Sequence, residues 1–263
     1  MEALSRTNDT IRRDFLKDKL RVKIFTSRNE MGRAAAEDTG AKIKGLLEQK
    51  EEINIIFAAA PSQYDFFNHM IDNKTIDWKR INAFHMDEYI GLKADAPQAF
   101  GNFLRTNLFS KVPFKHIFYI NGMAESPEIE CVRYTHLLTT YPPDIVCLGI
   151  GENGHIAFND PPIADFNDPV KIKVVKLDDI SRQQQVNDKC FKSLPEVPVH
   201  ALTLTIPALL QADFMFCIVP TSQKARAVYL TLNDLVSEAC PATILRTKKN
   251  AILYLDDGSS ELL

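Results

Sequence analysis

An α/β protein with a doubly wound, mostly parallel open sheet and helices on both faces is the fold that the sequence predicts, on three observations. Short apolar runs recur along the 263 residues, and several are continuous rather than alternating, as in strands buried on both faces. Helix-length segments with apolar residues at helical spacing separate them. No internal repeat, low-complexity linker or break in composition interrupts this alternation, so a single domain over 1–263 is expected.

The elements follow in order. RVKIFTS (21–27) reads as the first strand, and Ser27 as the N-cap of a helix over 28–51. INIIFAAA (53–60) is a second apolar run. Pro61, which suits a first helical position, opens a helical pattern over 61–72. INAFHMD (81–87) is a strand followed by a helical pattern at 97–109, and HIFYI (116–120) a strand followed by one at 127–140. DIVCLGI (144–150) is another strand. The stretch 160–200 is rich in Pro, Asp and Gln and reads as irregular, a candidate lid, although IKVVKL (172–177) within it has strand character. FMFCIVP (214–220), a helix over 222–238 and AILYLD (251–256) complete the series.

Composition excludes several functions. The chain is 45% hydrophobic and 25% charged, ordinary for a soluble globular protein. A net charge of −3 gives no electrostatic case for nucleic acid or an anionic membrane. No apolar run is long enough to span a bilayer, and the N-terminal MEALSRTNDTIRRDFLKDKL is too charged for a signal peptide, so a cytoplasmic location is expected. None of the five cysteines is paired as C-x-x-C, and Cys147 and Cys217 fall within apolar runs. These features predict a reduced protein without a disulfide framework or a zinc or other metal site. Homo-oligomerisation is compatible with the sequence.

In open parallel sheets ligands bind beyond the carboxyl ends of the strands, so chemistry is sought there. GIGENGHIAFNDPP (149–162) holds a formal G-x-G-x-x-G after a strand. A dinucleotide cradle needs a helix to follow, but Pro161 and Pro162 stop one, and Asp160 before them is pushed out of helical space. The glycines, Gly154 among them, read instead as a sharp turn that brings backbone N–H groups near a ligand and presents His155. Asp160, five residues on, can fold back to fix the imidazole tautomer, and Asn153 can supply an amide. Asp87 and Glu88 form a carboxylate pair at another strand exit. Lys224, in the first turn after VPTSQ, is a cation at a helix start, where phosphate would be held.

These segments resemble the glucosamine-6-phosphate deaminase (isomerase) family. GIGENGHIAFNDPP is similar to one family signature and FHMDEYIGL (84–92) to a second, at a similar separation. VPTSQKARAV (219–228) and VPVHALTLTIPALL (197–210) are also family-like, and the resemblance runs from about residue 20 to residue 256. It implies a cofactor-independent enzyme acting on a small sugar phosphate: ring opening, aldose–ketose isomerisation and loss of ammonia to give fructose 6-phosphate. It implies that Asp87 moves a proton between C1 and C2 and that His155 opens the ring. Asp160 stands where a glutamate partners that histidine, Asn153 where Asp or Asn occurs, and Lys224 where a lysine binds substrate. Each type suits its task, since proton abstraction beside a carbonyl wants a carboxylate base.

The departures are local. Ala58-Ala59-Ala60-Pro61-Ser62-Gln63 replaces a Gly- and Thr-rich phosphate loop. Alanine restricts positive φ and closest backbone approach, so Ala59, Ala60 and Ser62 are expected to hold phosphate with altered geometry. Asp160 for glutamate shortens the arm by about 1.3 Å, so the contact with His155 requires a backbone shift or a bridging water. A phosphate-binding arginine of the family has no clean match; Arg182 and Lys189 are the two candidates. The serine pair of allosterically regulated members is replaced around Pro161-Pro162, so that regulation is not expected. A 6-phosphogluconolactonase-type hydrolase, a related isomerase or a non-catalytic sugar-phosphate sensor are the alternative readings. The segments MDEYIGL and AFND argue against the lactonase.

Overall fold

A computed structural model describes residues 11–187 and 189–263; the first ten residues of the charged N-terminal segment and Asp188 lie outside it. The strands are β1 (Ile11–Lys17), β2 (Leu20–Phe25), β3 (Ile53–Phe57), β4 (Ile81–His85), β5 (Asp87–Tyr89), β6 (His116–Phe118), β7 (Ile145–Leu148), β8 (Ile172–Lys176), β9 (His200–Leu204), β10 (Phe214–Val219) and β11 (Ala251–Leu255). The helices are α1 (Arg28–Leu47), α2 (Tyr64–Asp72), α3 (Phe100–Leu104), α4 (Pro127–Thr140), α5 (Asp179–Asn187), α6 (Ile206–Leu210) and α7 (Ala225–Asn233).

Eight strands form one sheet in the order β1-β2-β11-β10-β7-β3-β4-β6. Every neighbouring pair is parallel except β1 with β2. The expected doubly wound sheet is therefore present. From β3 the chain runs outward through β4 to β6. It then returns to the other side of β3 at β7 and runs outward through β10 and β11. The order thus reverses between β3 and β7, the place where loops diverge and leave a crevice.

Strand residues alternate between two cores. Ile56, Phe84, Val146, Leu148 and Cys217 pack on one face, and Ile55, Phe57, Ala83, Cys147 and Phe216 on the other. Burial on both faces is why these runs are continuously apolar. Cys147 and Cys217 are fully buried within the sheet, and burial pushes both thiols well above their usual range, so they pack as small hydrophobes.

Three parts differ from expectation. The antiparallel edge strand β1 was not legible, because IRRDFLK is polar and largely exposed. The run at 172–177 does not join the large sheet; β8 pairs antiparallel with β9, and β9 with β5, in a second sheet. The stretch 160–200 is accordingly not irregular throughout: β8 and α5 lie within it, with Val175, Leu177 and Phe191 packed against Tyr89, Phe100 and Phe158. Its polar composition reflects the exposed faces of short elements. The helix expected over 222–238 ends at Asn233.

Candidate active site

Between the ends of β3 and β7 lies an open cleft. Its walls come from Ala58–Ser62 after β3, Asp87 after β4, Gly149, Ile150, Gly151 and His155 after β7, Gln184 and Gln185 of α5, and Thr221 and Lys224 after β10. A large sheet ending in four loops thus converges its chemistry on one place.

The turn after β7 is shaped around His155. A Cβ on Gly151 would lie 2.1–2.3 Å from three atoms of the imidazole, so only glycine leaves the ring its room. Gly154 takes φ +84°, and a Cβ there would meet Cys240 Sγ at 2.5 Å. Its N–H donates to Gly151 and its carbonyl accepts from Ala242. Gly154 is therefore a turn residue committed to the fold and does not line the cleft, contrary to its expected role in binding. No helix follows the glycines before α5, consistent with the rejection of a dinucleotide cradle.

His155 Nδ1 lies 3.0 Å from Asp160 Oδ1 and 2.8 Å from Asn153 Oδ1. The shortened carboxylate therefore reaches the ring directly, with no bridging water needed. The backbone makes up the lost methylene: Ala157 takes φ 52°, and Ile156 and Asn159 bridge across the turn, returning Asp160 beneath the imidazole. Asp160 is fully buried. Burial alone would raise its pKa, but hydrogen bonds from His155, Asn153 and Ser181 outweigh it and hold the carboxyl below its usual range. An ionised Asp160 fixes the proton on Nδ1 and leaves Nε2 as the ring nitrogen open to chemistry. Asn153 and Asp160, expected as catalytic, stand behind His155 rather than in the cleft lining, so they are positioning residues.

Ser181 was missed. Its hydroxyl donates to Asp160 Oδ1 and lies 3.1 Å from His155 Nδ1. It sits in α5 beside Arg182, which sequence reasoning chose for its charge. Helical periodicity decides between them: Ser181 and Gln184, three apart, share the face toward the site, and Gln184 accepts from the Glu152 N–H. Arg182 points elsewhere, donating to the carbonyls of Leu194 and Val197 and pairing with Asp179. It therefore does not fill the expected phosphate role. Lys189 lines an adjoining pocket with Tyr64 and Phe103, outside the cleft itself.

Asp87 enters from β5, where the chain leaves the large sheet. Only 7% of it is exposed, and burial, reinforced by the neighbouring Glu88 charge, pushes its pKa well above the ordinary carboxyl range. Burial raises Glu88 too, although the N–H groups of Tyr89, Phe100 and Gly101 donate to it and oppose the shift. Glu88 is thereby a structural cap for α3. Behind both, the buried His85 places its Nδ1 2.9 Å from the Asp87 carbonyl, and its Nε2 accepts from the Ile120 N–H. Burial depresses its pKa to about 4, so this imidazole is neutral and braces the Asp87 backbone.

Ala59, Ala60, Ser62 and Lys224 also line the cleft. Gln63, fully buried, donates to Ser62 Oγ and to the Ile218 carbonyl, tying the loop after β3 to β10. Thr221 holds φ 80°, unusual for a β-branched residue, and its N–H donates to both carboxylate oxygens of Asp256. This clamp sets the turn that delivers Lys224. Arg28 also lines the cleft, and nothing in its sequence context singled it out.

Comparison with known proteins gives the family and the fold. Residues 26–254 match the sequence model of the family described as glucosamine-6-phosphate isomerases/6-phosphogluconolactonase. The chain is 36% identical over 220 residues to the glucosamine-6-phosphate deaminases of Bacillus thuringiensis (strain Al Hakam) and Bacillus cereus (strain AH820), covering 84% of this chain and 82% of each relative. A solved monomeric glucosamine-6-phosphate deaminase superposes with a TM-score of 0.85 at 28% identity, over 92% of this chain and 99% of that one. The 6-phosphogluconolactonase of Thermotoga maritima, at 20% identity and a TM-score of 0.72 over 89% and 98%, shares the fold.

Proposed function

The chain belongs to the glucosamine-6-phosphate isomerase/6-phosphogluconolactonase family, and from that premise we propose that it converts glucosamine 6-phosphate and water into fructose 6-phosphate and ammonia. The observation that carries this reading is the pairing, in one cleft, of a buried carboxyl of raised basicity with an imidazole whose Nδ1 proton is fixed from behind.

The steps follow from those two groups. His155 Nε2 takes the proton from the C1 hydroxyl of the ring sugar and returns one to the ring oxygen as the C1–O5 bond breaks, leaving an open-chain aldehyde. Asp87 then removes the C2 proton, giving an enolamine, and the proton is returned at C1. The resulting C2 iminium adds water and expels ammonia, leaving the ketone. Desolvation makes Asp87 a stronger base than an exposed carboxylate, which helps at the carbon acid. Ser62 and Lys224, both in the cleft lining, take the 6-phosphate.

Lactone hydrolysis would have no use for a desolvated carboxyl beside C2, and the 36%-identical relatives bear the deaminase name. Release of ammonia and fructose 6-phosphate from glucosamine 6-phosphate, with an Asp87→Asn control, tests the reading. Absence of turnover on glucosamine and galactosamine 6-phosphates alike would overturn it.

A further inference from the structure

The cleft has a cation that neither motif marks. Arg28 is the first residue of α1, after Ser27, whose hydroxyl accepts from the Glu30 N–H. Its Nε donates to Asp65, and its Nη2 donates to the Pro61 carbonyl at 2.5 Å. Nη1 has no hydrogen-bond partner among the described residues, 34% of the side chain is exposed, and Arg28 lines the cleft.

This arm is rigidly placed. One turn along α1, a Cβ on Gly32 would lie 2.7 Å from Asp65 Cβ and 2.9 Å from the Phe66 N. The two helices therefore touch backbone to backbone at the point that sets the distance from Arg28 to Asp65. The guanidinium is braced at one edge by a carboxylate and a carbonyl, and its other edge faces the cleft. It also grips Pro61, the residue between Ala60 and Ser62, in the loop that lacks glycine. A loop of alanines offers less backbone to an anion, and a fixed guanidinium supplies planar donors in its place.

We propose that Arg28 binds the substrate's 6-phosphate together with Lys224 and Ser62, in the role for which Arg182, bonded to Leu194 and Val197, is not placed. Asp65 and Pro61 orient the guanidinium for it. The inference rests on the sugar-phosphate reading of the cleft, and its test separates the two. Binding of inorganic phosphate is measured by calorimetry for the parent, Arg28→Ala and Arg28→Lys, alongside KM and kcat for glucosamine 6-phosphate. Arg28→Ala is expected to weaken inorganic phosphate and raise KM by about 10- to 100-fold, with kcat changed less than about threefold. Arg28→Lys, which keeps the charge but lacks the planar fork of donors, is expected to recover part of the loss. Should Arg28→Ala fail to fold, Arg28→Gln reads the same contact. Phosphate affinity within about twofold of the parent in the alanine or glutamine variant, or a fall in kcat at unchanged KM, would overturn the proposal. Parent protein that binds phosphate through Arg28 yet turns over no hexosamine phosphate would instead refute the activity and leave Arg28 as an anion site.

Discussion

Asp160 Oδ1 lies 3.0 Å from His155 Nδ1, although the carboxylate is one methylene shorter than the glutamate that family resemblance would place there. The turn between them and the Ser181 hydroxyl together hold this contact. Asp160→Asn is expected to lower kcat by about 100-fold or more, because an amide can present an N–H to Nδ1 and favour the wrong tautomer. Ser181→Ala should cost about tenfold in kcat with KM nearly unchanged. Steady-state kinetics check both; a serine variant as active as the parent would remove Ser181 from the network.

Gly151→Ala offers a steric test. The added Cβ would fall within 2.3 Å of the imidazole, so His155 must leave its position. The expected outcome is loss of at least about 100-fold in kcat, with the thermal midpoint lowered by only a few degrees. Retained activity would show that the ring works from another rotamer.

His85 gives a stability prediction with a definite sign. Its pKa is about 4 in the folded state against 6.5 for an ordinary histidine. A depressed value means that stability is fully present above about pH 6.5 and is lost as pH falls toward 4. The span corresponds to about 3 kcal/mol. Denaturant unfolding of the parent and His85→Gln at pH 7 and pH 4.5 checks this: the difference between them should shrink at the lower pH.

Asp87 acts in the opposite sense. Burial holds its folded pKa well above the ordinary 3.8 of an aspartate, so the unfolded chain releases its proton first as pH rises. Stability is therefore lost from about pH 4 upward until the raised value is passed. Asp87→Asn removes that loss. Its thermal midpoint relative to the parent should rise between pH 4 and pH 8; a difference constant with pH would contradict the buried, high-pKa carboxyl. His85 and Asp87 are two residues apart and their slopes oppose, so each is read from its own variant.

Much of this was visible in the chain. Continuous apolar runs announced a parallel sheet because two-sided burial leaves no polar face. Pro161 and Pro162 excluded the nucleotide reading because a proline cannot continue a helix. The parts that were not visible depend on direction in space. Ser181 and Arg182 are adjacent, and charge drew attention to the wrong one, because only the packed helix decides which faces the site. Gly154 and Gly151 look alike in a motif, yet one is spent on a turn against Cys240 and the other makes room for His155. Arg28 lies more than thirty residues before the loop it grips, and no local pattern links them.

Carbon-acid chemistry at Asp87 is the central step, and a coupled assay for ammonia and fructose 6-phosphate measures it. The parent should release both in equal amounts from glucosamine 6-phosphate. Asp87→Asn should bind inorganic phosphate as the parent does while turnover falls by at least about 1,000-fold. Turnover by Asp87→Asn near that of the parent would show that Asp87 is not the base.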